Sequence, residues 1–177
     1  GGPSLPISLT TANADATLTG NAADEFSFLA SAADLNNDGY LDLPVGAANH
    51  NSYDGRLYIF YGNGTRLTNA SANTANTIIT GVAADSGFGA YNTGDLNGDG
   101  FSDLVATSYD YGGGNGRVYV FYGMASYLPS VTSSSADRVI DGENIFAYFG
   151  SNPVLGDLNA DGYDDLVVGA PRNNIAT

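Results

Sequence analysis

Asp34-Leu35-Asn36-Asn37-Asp38-Gly39-Tyr40-Leu41-Asp42 returns 61 residues on as Asp95-Leu96-Asn97-Gly98-Asp99-Gly100-Phe101-Ser102-Asp103, and 62 residues after that as Asp157-Leu158-Asn159-Ala160-Asp161-Gly162-Tyr163-Asp164-Asp165. A nonapeptide of the form Asp-x-Asn-x-Asp-Gly-x-x-Asp that recurs at this period marks a tandem array, and the period sets the scale of the fold. Other landmarks keep step with it. Gly55-Arg56-Leu57-Tyr58-Ile59-Phe60-Tyr61-Gly62 returns as Gly116-Arg117-Val118-Tyr119-Val120-Phe121-Tyr122-Gly123, and Gly20, Gly81 and Gly142 each close a short β-branched run.

Within a unit the order is an aromatic-Gly pair (Phe88-Gly89, Phe149-Gly150), the acidic loop, an apolar run such as Leu166 to Ala170, an alternating run such as Val118 to Tyr122, and an outer run such as Asn76 to Thr80. β-Branched and aromatic residues between Gly and Asn turns predict four short strands per unit. The fold class expected is all-β, with tandem four-stranded antiparallel blades of a β-propeller, because such a blade buries its faces only against its neighbours. A solenoid is the structural rival, but solenoid repeats are usually shorter than this period. Residues 1–177 are read as a single repeat module with units at 20–80, 81–141 and 142–177, the last truncated.

The loops carry the chemistry. Side-chain oxygens stand at positions 1, 3, 5 and 9, and the carbonyl of position 7 is available. The candidate metal ligands are therefore Asp34, Asn36, Asp38, Tyr40 and Asp42 in the first loop, Asp95, Asn97, Asp99, Phe101 and Asp103 in the second, and Asp157, Asn159, Asp161, Tyr163 and Asp165 in the third. Tyr40, Phe101 and Tyr163 would contribute backbone carbonyls only. Calcium takes six to eight hard oxygens, whereas magnesium prefers a tighter octahedral shell with several waters. About three Ca2+ ions are expected on this spacing. Unscreened, the carboxylates would repel one another and raise each other's pKa values, a cost that a bound dication removes. An EF-hand needs a bidentate acid at position 12, which is Val45, Ala106 or Val168 here, and flanking helices. That reading fails, and a helical dockerin fails with it, since each loop leads into a β run.

A formal charge of -14 with five Lys and Arg in all excludes a phosphate-binding surface, so nucleic acid is not expected as a partner. Three dications, +6 in all, would take the charge from -14 to -8. No apolar stretch is long enough to span a membrane as a helix. Cysteine is absent, which removes disulfide scaffolds, thiol catalysis and Cys-zinc sites. The start at Gly1 without Met is read as that of a mature or excised segment.

With Phe149-Gly150, the acidic loop, and Gly169-Ala170-Pro171 in sequence, the chain resembles the FG-GAP repeats of the integrin α-subunit head and related propellers, over roughly residues 20 to 171. It departs from that pattern at Phe26-Ser27 and Gly46-Ala47-Ala48 in unit 1, and at Ala106-Thr107-Ser108 in unit 2. The resemblance implies a seven-bladed ring with calcium on its lower face, a structural role for the metal, and a ligand site on the opposite face. Fewer than three units cannot close a ring of at least four blades. Leu5-Pro6 stands at the start as Leu128-Pro129 stands after Gly123, so the chain is expected to begin just past a Tyr-Gly strand and to stop short of the next one. Uncovered edges and apolar faces invite pairing, which predicts self-association to complete a ring, unless the chain is a piece of a longer array.

The catalytic inventory is thin: one His, no Cys, and carboxylates committed to the loops. His50 reads as an exposed loop residue, and no enzymatic activity is expected. Tyr53, Tyr91, Tyr109, Tyr111, Tyr127 and Tyr148 fall mostly in connecting segments, where they either supply contact area for a ligand or pack between blades. The stretch Tyr109 to Asn115 reads as a flexible insertion. The expected function is a calcium-stabilised recognition or adhesion module with a protein ligand, located outside the cell or on its surface, where calcium is abundant enough to fill such loops. A carbohydrate-binding propeller and a structural spacer are the alternatives.

Overall fold

The computed structural model describes residues 16–21, 24, 26, 31–66, 68–83 and 85–172. Its strands are β1 (Leu18–Thr19), β2 (Leu43–Ala47), β3 (Arg56–Phe60), β4 (Ala70–Ser71), β5 (Thr77–Thr80), β6 (Ala90–Gly94), β7 (Asp103–Ser108), β8 (Arg117–Phe121), β9 (Val131–Thr132), β10 (Arg138–Asp141), β11 (Ser151–Gly156) and β12 (Asp165–Gly169). The second unit is a whole blade, an antiparallel sheet in the order β10-β8-β7-β6. The first unit repeats it with β2, β3 and β5, all antiparallel, while Ala33 bridges to Asp42 where an inner strand would run into the loop. The third unit presents the β11–β12 hairpin. The expected all-β architecture of tandem antiparallel blades is the observed one, with strand ends a residue from the sequence reading. Asn76, for instance, lies just before β5, and its side chain accepts a hydrogen bond from Tyr61 N at 2.9 Å.

One feature of the array is invisible in the repeat pattern. β5 pairs in parallel with β9 (Ile79 with Val131, Thr80 with Thr132), and β1 pairs in parallel with β4 (Leu18 with Ala70, Thr19 with Ser71). The two pairings lie one period apart, so the segment after the third strand of each blade hooks onto the outer strand of the blade before it. Ile78 N donates to Ser130 Oγ at 3.0 Å and Leu128 N to Tyr61 Oη at 2.8 Å, closing the same seam.

The blades stack through their apolar faces. Leu57, Ile59 and Ile79 of the first unit meet Phe88, Tyr91, Leu104, Ala106, Tyr119 and Phe121 of the second in one buried cluster. Each large side chain so buried contributes about 1.5–3 kcal/mol. Val105, Val118 and Val120 face the other way, toward Leu155, Leu166 and Val168 of the third unit. The approach is close enough to dictate sequence: a Cβ on Gly55 would lie 1.9 Å from the carbonyl oxygen of Phe88, and one on Gly116 would lie 1.8 Å from that of Phe149. Only glycine fits where the third strand of one blade passes the aromatic-Gly pair of the next. Among the described residues no helix is long and apolar enough to cross a membrane.

Candidate metal loops

The second and third acidic loops join β6 to β7 and β11 to β12, the first leads into β2, and each is held by its own side chains. In the first, Asp34 accepts the amides of Asp38 and Gly39 at 3.0 and 2.7 Å, Asn36 accepts Asp38 N at 3.1 Å, and Asp38 accepts Tyr40 N at 2.9 Å. In the second, Asp95 accepts Gly98 N and Gly100 N at 2.7 and 2.9 Å, while Asn97 and Asp99 accept Asp99 N and Phe101 N, both at 2.9 Å. In the third, Asp157 takes Asp161 N and Gly162 N at 3.1 and 2.9 Å, Asn159 takes Asp161 N at 2.8 Å, and Asp161 takes Tyr163 N at 3.0 Å. Short Asp and Asn side chains compete well for nearby amides, which is why this sequence turns instead of extending. Position 6 is left-handed throughout, with φ of 89° at Gly39, 87° at Gly100 and 91° at Gly162. Position 4 is left-handed as well, at Asn37, Gly98 and Ala160.

Position 9 faces inward. Asp42 accepts Leu35 N at 2.8 Å and Gly62 N at 2.9 Å; Asp103 accepts Leu96 N and Gly123 N, both at 2.9 Å. Both residues are fully buried. Burial pushes these two carboxyls above the usual Asp range, and the nearby charges of Asp38 and Asp34, or of Asp99 and Asp95, push the same way; the amide bonds offset this in part. Asp165 accepts Leu158 N at 3.0 Å and is only half-buried.

The sequence-predicted side chains at positions 1, 3, 5 and 9 are thus brought into one tight turn in every unit, and the amides of Tyr40, Phe101 and Tyr163 at position 7 are tied to position 5. Among the described residues, however, no three His, Asp or Glu side chains gather into a metal-binding group. The donor set is chemically suited to a hard cation, since it is all oxygen and a carboxylate oxygen that accepts one amide keeps a free lone pair.

Sequence reading missed a second repeated element. Tyr58 Oη donates to Asp24 at 2.5 Å, and Tyr119 Oη donates to Asp85. Asp85 also accepts Val82 N at 2.7 Å and a bond from Ser133 Oγ. The signal was present: Asp24 and Asp85 stand four residues after Gly20 and Gly81, in phase with the two tyrosines. His50 bonds to Asp24 and is half-buried, so it is not the free loop residue expected. Burial raises Asp24, but the hydrogen bonds from Tyr58 and His50 and the charge of His50 outweigh it and hold its carboxyl below the usual value.

The tyrosines divide. Tyr91 lies on β6, buried, with its hydroxyl on the carbonyl of Pro44, and so is not part of a connecting segment. Tyr127 stacks on Tyr61 with ring centroids 4.1 Å apart. At the strand ends away from the acidic loops, the Tyr53 and Tyr109 hydroxyls bond to each other, the Tyr109 and Tyr148 rings lie 6.5 Å apart, and Arg172 sits 4.8 Å from the Tyr148 ring centroid. The stretch after Tyr109 forms a tight turn over Tyr111–Gly114 with left-handed Gly112 and Gly113.

Comparison with known proteins places these observations. A family profile described as FG-GAP repeat matches residues 92–121 and 149–176, and one described as FG-GAP-like repeat matches residues 34–106. Phosphatidylinositol-glycan-specific phospholipase D of Homo sapiens is 33% identical over 151 residues, which is 78% of this chain and 18% of that protein. Integrin alpha-6 of Gallus gallus is 29% identical over 161 residues, 87% of this chain and 14% of that one. Integrin alpha-5 of Xenopus laevis is 33% identical over 165 residues, 84% of this chain and 15% of that one. The chain therefore spans less than a fifth of the length of each of these relatives.

Proposed function

This chain is a member of the FG-GAP repeat family, and from that premise we propose that it is a calcium-stabilised, non-catalytic recognition module of the adhesion type, working outside the cell or at its surface. The observation that carries the reading is the acidic loop itself, built three times at the same place in successive units and closed each time by the position 6 amide on the position 1 carboxylate. Asp34, Asn36, Asp38 and Asp42, with the carbonyl of Tyr40, would hold one ion; Asp95, Asn97, Asp99, Asp103 and Phe101 a second; Asp157, Asn159, Asp161, Asp165 and Tyr163 a third. When bound, the dication supplies the positive charge that these clustered carboxylates lack. The chain's own part is to hold the loops in shape, through the left-handed glycines and the amide bonds, and to bury Asp42 and Asp103 so that the first two loops are tied to the blades beneath them.

The ligand side of the reading rests on likeness to the integrin alpha chains, and we place it at the strand ends opposite the acidic loops, where Tyr53, Tyr109, Tyr148 and Arg172 gather. The likeness to a phospholipase D supports a shared module and not a shared reaction, because it covers a small part of that protein. His50 is tied to Asp24, and the loop carboxylates are tied to their own amides, which leaves them poorly placed for acid-base work. The exposed β10 strand is the counterpart of β1 and β5, the outer strands that β4 and β9 cover, which supports self-association through it.

Immobilised protein probed with cell-surface extract and with a glycan array, each in calcium and in chelator, tests the function. A protein partner retained in calcium and released by chelator is the expected result. Glycan binding alone would replace this reading with a lectin, absence of both with a spacer, and turnover of a glycosylphosphatidylinositol-anchored substrate by the purified chain would overturn the non-catalytic assignment.

A further inference from the structure

We propose that Asp164, which is not among the candidate ligands, couples the second and third acidic loops so that they take up calcium cooperatively; this rests on the calcium reading above. Asp164 occupies position 8 of the third loop, between Tyr163 and Asp165. Its carboxylate reaches across to the second unit and accepts the amide of Asp95 at 2.8 Å, while its own amide donates to the carbonyl of Asp95 at 2.8 Å. Asp95 is position 1 of the second loop, whose two oxygens hold Gly98 N and Gly100 N. The neighbouring Tyr163 ring lies over Gly98, where a Cβ would stand 2.2 Å from a ring carbon. The third loop is thus bonded to the backbone of the residue that shapes the second.

Two glycine-sized gaps make the bridge possible, and one is informative because the equivalent position elsewhere is filled. A Cβ on Gly94 would meet the Asp164 carboxylate at 2.4 Å. One period earlier the residue before the loop is Ala33, and position 8 of the loop facing it is Ser102. No bond between Ser102 and Asp34 exists among the described residues. Gly94 and Asp164 belong together as slot and key, and the first pair of loops has neither. An ion that orders the third loop fixes the Tyr163-Asp164 backbone, and the bridge passes that order to Asp95; by linkage the second loop acts equally on the third. The first loop stands outside this pair.

Calcium titration calorimetry on the whole chain tests the idea with four proteins: unaltered, Asp164→Ala, Asp164→Asn and Gly94→Ala. The unaltered chain is expected to fill three sites, two of them together with a Hill slope above one. Asp164→Ala and Gly94→Ala should bring that slope to one and weaken the pair by about 5-fold or more, the lower end of usual coupling. Asp164→Asn, which keeps an acceptor oxygen, should retain most of the coupling. Disabling the third loop with Asp161→Ala should weaken the second several-fold in the unaltered background and leave it unchanged in Asp164→Ala. An unchanged isotherm for both Asp164→Ala and Gly94→Ala overturns the coupling while leaving the calcium reading intact. Equal loss in Asp164→Asn and Asp164→Ala also overturns it, because charge alone would then explain the effect. No calcium binding by the unaltered chain removes the calcium reading and the coupling together.

Discussion

The second and third units carry the same loop on different amounts of blade. Asp95 to Asp103 and Asp157 to Asp165 turn in closely similar ways, yet Asp103 is fully buried and accepts two amides whereas Asp165 is half-buried and, among the described residues, accepts one. The contact with no counterpart among the described residues is the one that Gly123, just past β8, makes to Asp103. The anchor differs too: Asp85 receives Tyr119, and one period later the position holds Phe146, 62% exposed and left-handed. Loop shape is therefore local, set by nine residues, while the environment of its last carboxylate is supplied by the rest of the blade.

Paired substitutions sharpen this contrast. Asp103→Ala strands two amides, one buried and one part-buried, and is expected to lower stability in chelator by about 3 kcal/mol, against about 1 kcal/mol for Asp165→Ala, as read by urea unfolding. Equal losses would mean that the blade adds nothing to the loop. Val105 on β7 is fully buried and its equivalent Val167 on β12 is 49% exposed. Val105→Ala should cost about 2 kcal/mol and Val167→Ala less than about 0.5 kcal/mol; a comparable cost at Val167 would reveal a covering partner, which a light-scattering mass would then find. Tyr119→Phe removes the hydroxyl from Asp85 and should cost about 1.5 kcal/mol, since Ser133 and Val82 still serve the carboxylate. The same change at exposed Tyr163 should fall within about 0.5 kcal/mol.

The parts legible in the sequence are those encoded locally. The nonapeptide gave the loops and Gly116-Arg117-Val118-Tyr119 gave the third strand, while the glycines at 55 and 116 entered only as landmarks of the repeat. Contacts between units were not legible, because they join residues a full period or more apart: the parallel β5–β9 seam, the Asp164 bridge, and the burial of Tyr91, whose place on an inner strand no neighbouring residue announces. Asp24 and Asp85 lie between these cases, in phase along the sequence but without a local signal, because their tyrosine partners are 34 positions away. The candidate site was legible as a set of residues and not as a finished metal grip, since the amides that shape each loop are backbone atoms common to every sequence.

Thermal unfolding in millimolar calcium and in excess chelator tests the central claim most directly. An ion that binds only the folded chain at about 100 times its Kd adds about 2.7 kcal/mol per site, so calcium should raise the melting temperature by at least about 5 °C. The rise should shrink in Asp99→Ala. An identical melting temperature in calcium and in chelator would contradict the account.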